Sequence, residues 1–241
     1  MALGFEDIRQ RYMRSWVGVL WVAISFAFFV AVKILIFTPL SDNSIAEFSV
    51  FVTVGFFAWT YISGMIVDGC VPFVNMQGWI NGIRMPLTVY VCQSIWRNLI
   101  ITMYNSLVVF GVILIVGMDL TAHSLLIFPV FLVYVINAFW VHLLMGIIAT
   151  RYRDVLHLVQ TIMRVLFFMT PILWYPEQMG GLMKYLIFNP ILHYIRILRD
   201  PIIYSTIPWE SVYVVGSITV FGFIGSIILF ALNRHKVVFW L

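Results

Sequence analysis

Charge is scarce in this chain: 14 Lys and Arg and 10 Asp and Glu among 241 residues, 10% in all. Soluble domains carry about a quarter, so the scarcity excludes an ordinary water-solvated surface. The net charge of +4 is spread along the chain, which excludes a nucleic-acid footprint and leaves no nucleic-acid partner expected. Cysteine is limited to Cys70 and Cys92. They lack metal-ligand spacing and read as reduced, packed thiols. No H-E-x-x-H pair, G-x-S-x-G elbow or phosphate loop is present, so no catalytic residue and no metal site is nominated. No small-residue cleavage site follows the first apolar run, which therefore reads as a retained span and not as a signal peptide.

What is abundant is apolar surface, at 63% of residues with a mean hydropathy of +1.02. A fold of this size could not hide so much from water, so its solvent is lipid. A helix needs roughly 20 apolar residues to cross the hydrocarbon. Six runs qualify: Val17–Phe37, Phe48–Val67, Leu99–Gly117, Leu125–Ala149, Leu158–Trp174 and Val212–Leu232. They are continuous rather than alternating, and helices satisfy their own backbone in lipid. The expected fold is an all-α integral membrane protein, a single domain over residues 1–241.

Orientation follows the basic residues of short loops. Arg9, Arg11, Arg14, Arg84, Arg151, Arg153, Arg234 and Lys236 fall on one side, with Arg97 and Arg164 near the same boundary. Lys184, Arg196 and Arg199 fall on the other, with Lys33 near the end of its span. The richer side is expected to be cytoplasmic, and both termini with it. Arg97, Arg164 and Lys33 read as side chains that snorkel to the nearer interface.

Three connections carry more than a turn. Residues 4–16, GFEDIRQRYMRSW, put Phe5, Ile8, Tyr12 and Trp16 on one face and arginines on the others, an amphipathic helix in the interface. It can be a simple anchor or a contact for an anionic headgroup. Between spans two and three, Pro72 opens a helix-sized insert that glycines near Trp79 end and Pro86 closes. It can dock a partner or merely fit the interface, and the residues do not separate the two. Before the last span, about 177–209 is long and greasy. Its pieces Leu182–Phe188 and Ile191–Leu198 are too short to cross and are set off by Gly180–Gly181, Asn189–Pro190, Asp200–Pro201 and Pro208. That pattern suits short re-entrant helices.

Polar groups inside spans are few. His142 with Asn137, and His193 with Arg196 and Asp200, are the sketches of a catalytic cluster; neutral His and Asn commonly serve as interhelical hydrogen-bond partners instead. Aromatics reach 17%, many at span ends as an interfacial belt. A subset inside the spans could stack on sugar rings. Gly222, Gly225 and Ser226 permit close helix approach.

The segments DIRQRYMRSWVGVLW, RMPLTVYVCQSIWRNLIITMYNSLVVF, RYRD, MTPILWYP and NPILHYIR resemble, in order and over nearly the whole chain, the type-2 permeases of ABC transporters. The nearest branch is the polysaccharide export family, the O-antigen or lipopolysaccharide exporters, with capsule and teichoic-acid exporters nearby. The resemblance implies a homodimeric, multi-pass inner-membrane permease, not an enzyme, with two copies of a separate ATPase on its cytoplasmic face. ATP and Mg would bind that partner, leaving no cofactor in this chain. It implies a gate helix, with Arg9, Arg11, Arg14 and Tyr12 meeting the substrate headgroup. A coupling helix at 72–84 would dock the ATPase through Pro72, Asn75, Gln77, Trp79 and Arg84, beside Arg151, Arg153 and Asp154. Spans one and five would line the channel with Trp21, Phe28, Phe167 and Phe168, and 177–209 would cap the exit. The chain starts close to the gate helix, so no longer N-terminal arm is expected.

The expected cargo is an undecaprenyl-diphosphate-linked polysaccharide of O-antigen type. Capsule, teichoic-acid, small-lipid or drug export is the alternative within the resemblance, and an intramembrane enzyme acting on a lipid-linked sugar is the alternative outside it.

Overall fold

The computed structural model describes residues 16–40, 44–82, 85–175 and 183–241. Among the described residues every regular element is helical: α1 (Trp21–Phe37), α2 (Ile45–Gly69), α3 (Gln77–Gly82), α4 (Leu87–Val116), α5 (Ile127–Arg151), α6 (Val155–Met169), α7 (Met183–Leu186), α8 (Pro190–Ile203), α9 (Trp209–Asn233) and α10 (Val237–Trp240). Short 3-10 turns at Gly18–Leu20 and Ala122–Leu126 lead into α1 and α5. Five helices, α1, α2, α4, α5 and α9, are long and apolar enough to cross a membrane. The protein is an all-α, multi-pass membrane protein.

The chain marks its own helix ends. Ser44 caps α2, its hydroxyl accepting from the Glu47 amide at 3.2 Å, the S-x-x-E pattern of a capping box. Gly117 ends α4 with φ 70°, and the Met118 amide reaches back to the Ile113 carbonyl at 3.2 Å. Only glycine takes that left-handed stop without strain. Asn189 caps α8, with Pro190 opening the first turn.

Three expectations change. α4 begins at Leu87, twelve residues before the expected Leu99. Gln93, Ser94, Arg97 and Asn98 dilute hydropathy there without breaking a helix. The expected span Leu158–Trp174 yields α6, of 15 residues, about 22 Å long against roughly 30 Å of hydrocarbon. It stops at Thr170 because a residue before proline avoids the helical region, and Thr170 is extended at φ −100°, ψ 135°. The peptide that continues it, Thr170–Ile172, is buried. Asp200–Pro201 does not end a helix, since Pro201 lies inside α8.

α2 is the central helix. It packs against α1, α4, α5, α6 and α8, and 15 of its residues are buried. Its Ser49, Thr53 and Thr60 hydroxyls donate to carbonyls one turn back at 2.6–2.8 Å, so these three need no water. The other spans bury one face and leave apolar side chains such as Phe28, Leu114 and Phe221 outward, as suits lipid. The end that holds α3, α10 and the α5–α6 corner is the basic end; the starts of α2, α5 and α9 form the far end.

Candidate functional site

At the basic end, residues 71–76 form a series of turns that lead into α3. Phe73 is fully buried. Its ring lies where a Cβ on Gly146 of α5 would stand, 2.9 Å from Cε2, with Pro72 Cγ at 3.1 Å. Glycine at 146 is what lets this turn seat against α5. Gln77 donates to the Leu241 carbonyl, and Arg153 Nη2 reaches the same oxygen at 3.4 Å. The Arg151 guanidinium sits 5.1 Å from the Trp240 ring. The structure thus brings α3, the α5–α6 corner and α10 onto one face. Asn75, Trp79, Arg151, Arg153 and Asp154 are exposed there. Pro72 is buried against α5 and Gln77 is half-buried, so both hold the turn in place rather than present themselves to a partner. Arg84 lies outside the described residues, as do Arg9, Arg11, Tyr12 and Arg14 of the expected gate helix.

Directly beneath, Arg97 Nη2 meets Asp68 Oδ2 at 3.0 Å, tying α4 to the end of α2. Arg97, expected to reach towards this boundary, is held there in an ion pair. Cys70 is buried beside it, and burial with the Asp68 charge pushes its thiol up to about 11. His142 is fully buried, with Ser94 Oγ 3.1 Å from Nε2 and the Ala138 carbonyl 2.9 Å from Nδ1. Both ring nitrogens are engaged with structural partners.

The proposed catalytic pairings do not assemble. Asn137 instead accepts from Tyr194 Oη at 2.6 Å and Trp140 Nε1 at 2.8 Å, and donates to Thr219 Oγ1 at 2.8 Å. His193 bonds Ser211 Oγ at 3.0 Å and the Ile187 carbonyl at 2.8 Å, apart from the Arg196–Asp200 ion pair at 3.1 Å. These bonds, with Tyr134 Oη donating to the Tyr194 carbonyl at 2.6 Å, fasten α8 to α5 and α9. Arg199 of α8 is buried, donates to the Pro171 carbonyl at 2.8 Å, and lies 4.0 Å from the Phe51 ring centroid. Burial draws its guanidinium below its ordinary value and neighbouring Asp200 opposes that; an arginine remains charged there. Gly222 faces the Trp140 indole, 2.5 Å from where its Cβ would be. Gly222 therefore serves a contact within the chain, whereas Gly225 has open space beside it.

Between α2 and α6 lies an open groove of about 440 Å³, lined by Phe56, Trp59, Ser63, Val67, Gln160, Met163, Arg164, Phe167 and Phe168. Its wall is a run of edge-to-face rings: Trp59 and Phe168 each 5.3 Å from Phe167, with Phe56 at 6.3 Å. Phe26 of α1 backs this wall, stacked on Phe56 at 5.5 Å. Of the expected lining residues, Phe167 and Phe168 stand in the groove. Trp21 and Phe28 are exposed on α1 outside it. The wall also takes in Phe56 and Trp59, in-span aromatics that the sequence did not assign to the path. The Lys33 ammonium, expected to snorkel, lies over the Phe56 and Phe167 rings at 4.7 and 5.1 Å. A ring-lined cleft with Ser63, Gln160 and Arg164 can stack on the CH-rich face of a sugar while bonding its hydroxyls. Among the described residues no cluster of three or more His, Cys, Asp or Glu could hold a metal ion.

Fold and groove together define a polytopic helical membrane protein with a short helical insert at one end. Comparison narrows this. The chain is 24% identical over 173 residues to the O-antigen export system permease protein RfbA of Myxococcus xanthus, covering 70% of this chain and 65% of that protein. It is 22% identical over 212 residues to the O-antigen export system permease protein RfbA of Klebsiella pneumoniae, covering 86% and 81%. The match thus spans just under two thirds of the first relative's length. No family model matches the chain. The resemblance to O-antigen export permeases drawn from the sequence is borne out by both relatives.

Proposed function

We propose that this chain is the membrane permease subunit of an ATP-driven exporter, moving undecaprenyl-diphosphate-linked polysaccharide of O-antigen type across the inner membrane. The similarity to two O-antigen export permeases, over 70% and 86% of this chain, carries the reading. Two copies form the path, and two copies of a separate ATPase, which binds ATP and Mg, dock on the basic end. That end faces the cytoplasm by the positive-inside rule. The docking surface is α3 with Arg151, Arg153 and Asp154. Its support is the seating of Phe73 against Gly146, which makes the insert move with α5 rather than as a free loop. Nucleotide that favours one arrangement of the ATPase then shifts the spans, provided the two states bind it with different affinity.

The aromatic groove supplies stacking for sugar rings, and Arg9, Arg11, Tyr12 and Arg14 form the entry for the diphosphate. Capsule and teichoic-acid polymers would demand similar chemistry; the relatives' names favour O-antigen. The enzyme reading loses its support because His142 and His193 are engaged in packing bonds. The test is affinity isolation of the native complex. An ATPase and a polyprenyl-linked glycan should co-purify with the chain; a complex lacking both contradicts the proposal.

A further inference from the structure

Lys33 lies one turn from the end of α1, where a lysine would be expected to snorkel to the far interface. Helical side chains lean towards the helix N-terminus, and for α1 that direction runs inward. The ammonium accordingly rests over Phe56 and Phe167. Phe56 is 11 residues from the start of α2 and 13 from its end, about 17 and 20 Å at the helical rise. The charge therefore stands at the middle of the central spanning helix, where an ionisable group is costly and marks a pathway or a partner.

The helices around it offer no counter-charge at that depth. α1 has no acidic residue, and α2 has Glu47 and Asp68 only near its ends, the latter paired with Arg97. α4 contributes only Arg97, and α6 contributes His157 and Arg164. Among the described residues the ammonium is held by two ring faces alone, and cation–π attraction replaces only part of its hydration. Arg164, one turn from Phe167, lines the groove whose Phe56 and Phe167 rings the Lys33 ammonium covers. An aromatic cleft whose described residues supply cations and no carboxylate is matched to a solute that is both ring-bearing and anionic.

We infer that Lys33 is a specificity-determining contact for an anionic group on the transported substrate. The inference rests on the reading that the groove carries that substrate. The anion is either the diphosphate of the lipid carrier or an acidic sugar of the polymer, and the chemistry of recognition is the same. The test uses the full permease with its ATPase in zwitterionic lipid nanodiscs. Binding of farnesyl diphosphate is compared with farnesol, and of hexagalacturonate with maltohexaose. Wild type should prefer at least one anionic probe tenfold or more, the size of one charge-assisted hydrogen bond. Lys33→Gln and Lys33→Met should abolish that preference and Lys33→Arg should keep it. The pair that responds identifies the source of the anion.

A structural lysine behaves differently. Because no described residue compensates its charge, Lys33→Met should melt no lower than wild type. Absence of anion preference in wild type, its persistence in Lys33→Gln, or a lower melting temperature for both Gln and Met variants overturns the inference. If Lys33→Gln shows unchanged binding while the chain still restores export to a deletion strain, only this inference falls. Failure to restore export removes the reading beneath it.

Discussion

Replacing Gly146 by alanine probes the link between the insert and the spans. The new Cβ would stand 2.9 Å from Phe73 Cε2 and 3.1 Å from Pro72 Cγ, so the turn must retreat by a few tenths of an ångström or more. Phe73 is fully buried and has little room to yield. Overpacking of this kind costs about 1–3 kcal/mol, offset by about 1 kcal/mol from alanine's better helix propensity. The net is a loss of about 0–2 kcal/mol, small enough for the protein to fold. The effect on coupling is larger, because the surface proposed to receive the ATPase no longer moves rigidly with α5. In the assembled exporter, polysaccharide exported per ATP hydrolysed should fall in Gly146→Ala. Phe73→Leu in the same chain, by shrinking the obstructing ring, should recover part of it, with a favourable interaction energy of about 0.5–2 kcal/mol in a thermal-unfolding cycle. Unchanged export per ATP in Gly146→Ala, or a double variant worse than the sum of its parts, refutes the anchoring argument.

Gly222→Ala should destabilise the α5–α9 contact by about 1–3 kcal/mol in thermal unfolding, since the Trp140 indole occupies the Cβ position at 2.5 Å; Gly225→Ala, with open space around it, should change little. Asp200→Asn leaves the buried Arg199 guanidinium without its neighbouring charge and should cost about 3–5 kcal/mol. Arg196→Gln, at a partly exposed pair, should cost about 1 kcal/mol or less in the same assay. In the folded permease below pH 9, Cys92 should label with maleimide and Cys70 should not. A thiol raised to about 11 is almost wholly protonated there, and its thiolate grows only as pH rises towards that value. Rapid labelling of Cys70 at pH 7 before unfolding would contradict its burial.

The spans were legible because long apolar runs have one solution in lipid, and the caps at Ser44, Gly117 and Asn189 stand in the sequence as written. The length of α6 was less so. Pro171 was visible, but a helix stop at Thr170 depends on α8 and α2 covering the extended peptide that follows. The exposed residues proposed to dock an ATPase, Asn75, Trp79, Arg151, Arg153 and Asp154, could be placed on one face by alternation of the spans alone. Pro72 could not be assigned inward, because its burial comes from Gly146, seventy-odd residues away. The groove was half legible: Phe167 and Phe168 belong to a span expected to line the path, whereas Trp59 and Phe56 meet them only through the α2–α6 packing. Lys33 was misread by counting distance to the helix end and neglecting the direction in which helical side chains lean. His142 and Asn137 share a span, but their partners Ser94, Tyr194 and Thr219 come from three other helices.

The most direct test is surface polysaccharide in a strain lacking this chain and any redundant exporter. Deletion should abolish surface display and leave polyprenyl-linked polymer inside the cell. Restoring the chain should return display only when an ATPase partner competent to hydrolyse ATP is present. Normal display after deletion, or restoration alongside a hydrolysis-dead ATPase, contradicts the account.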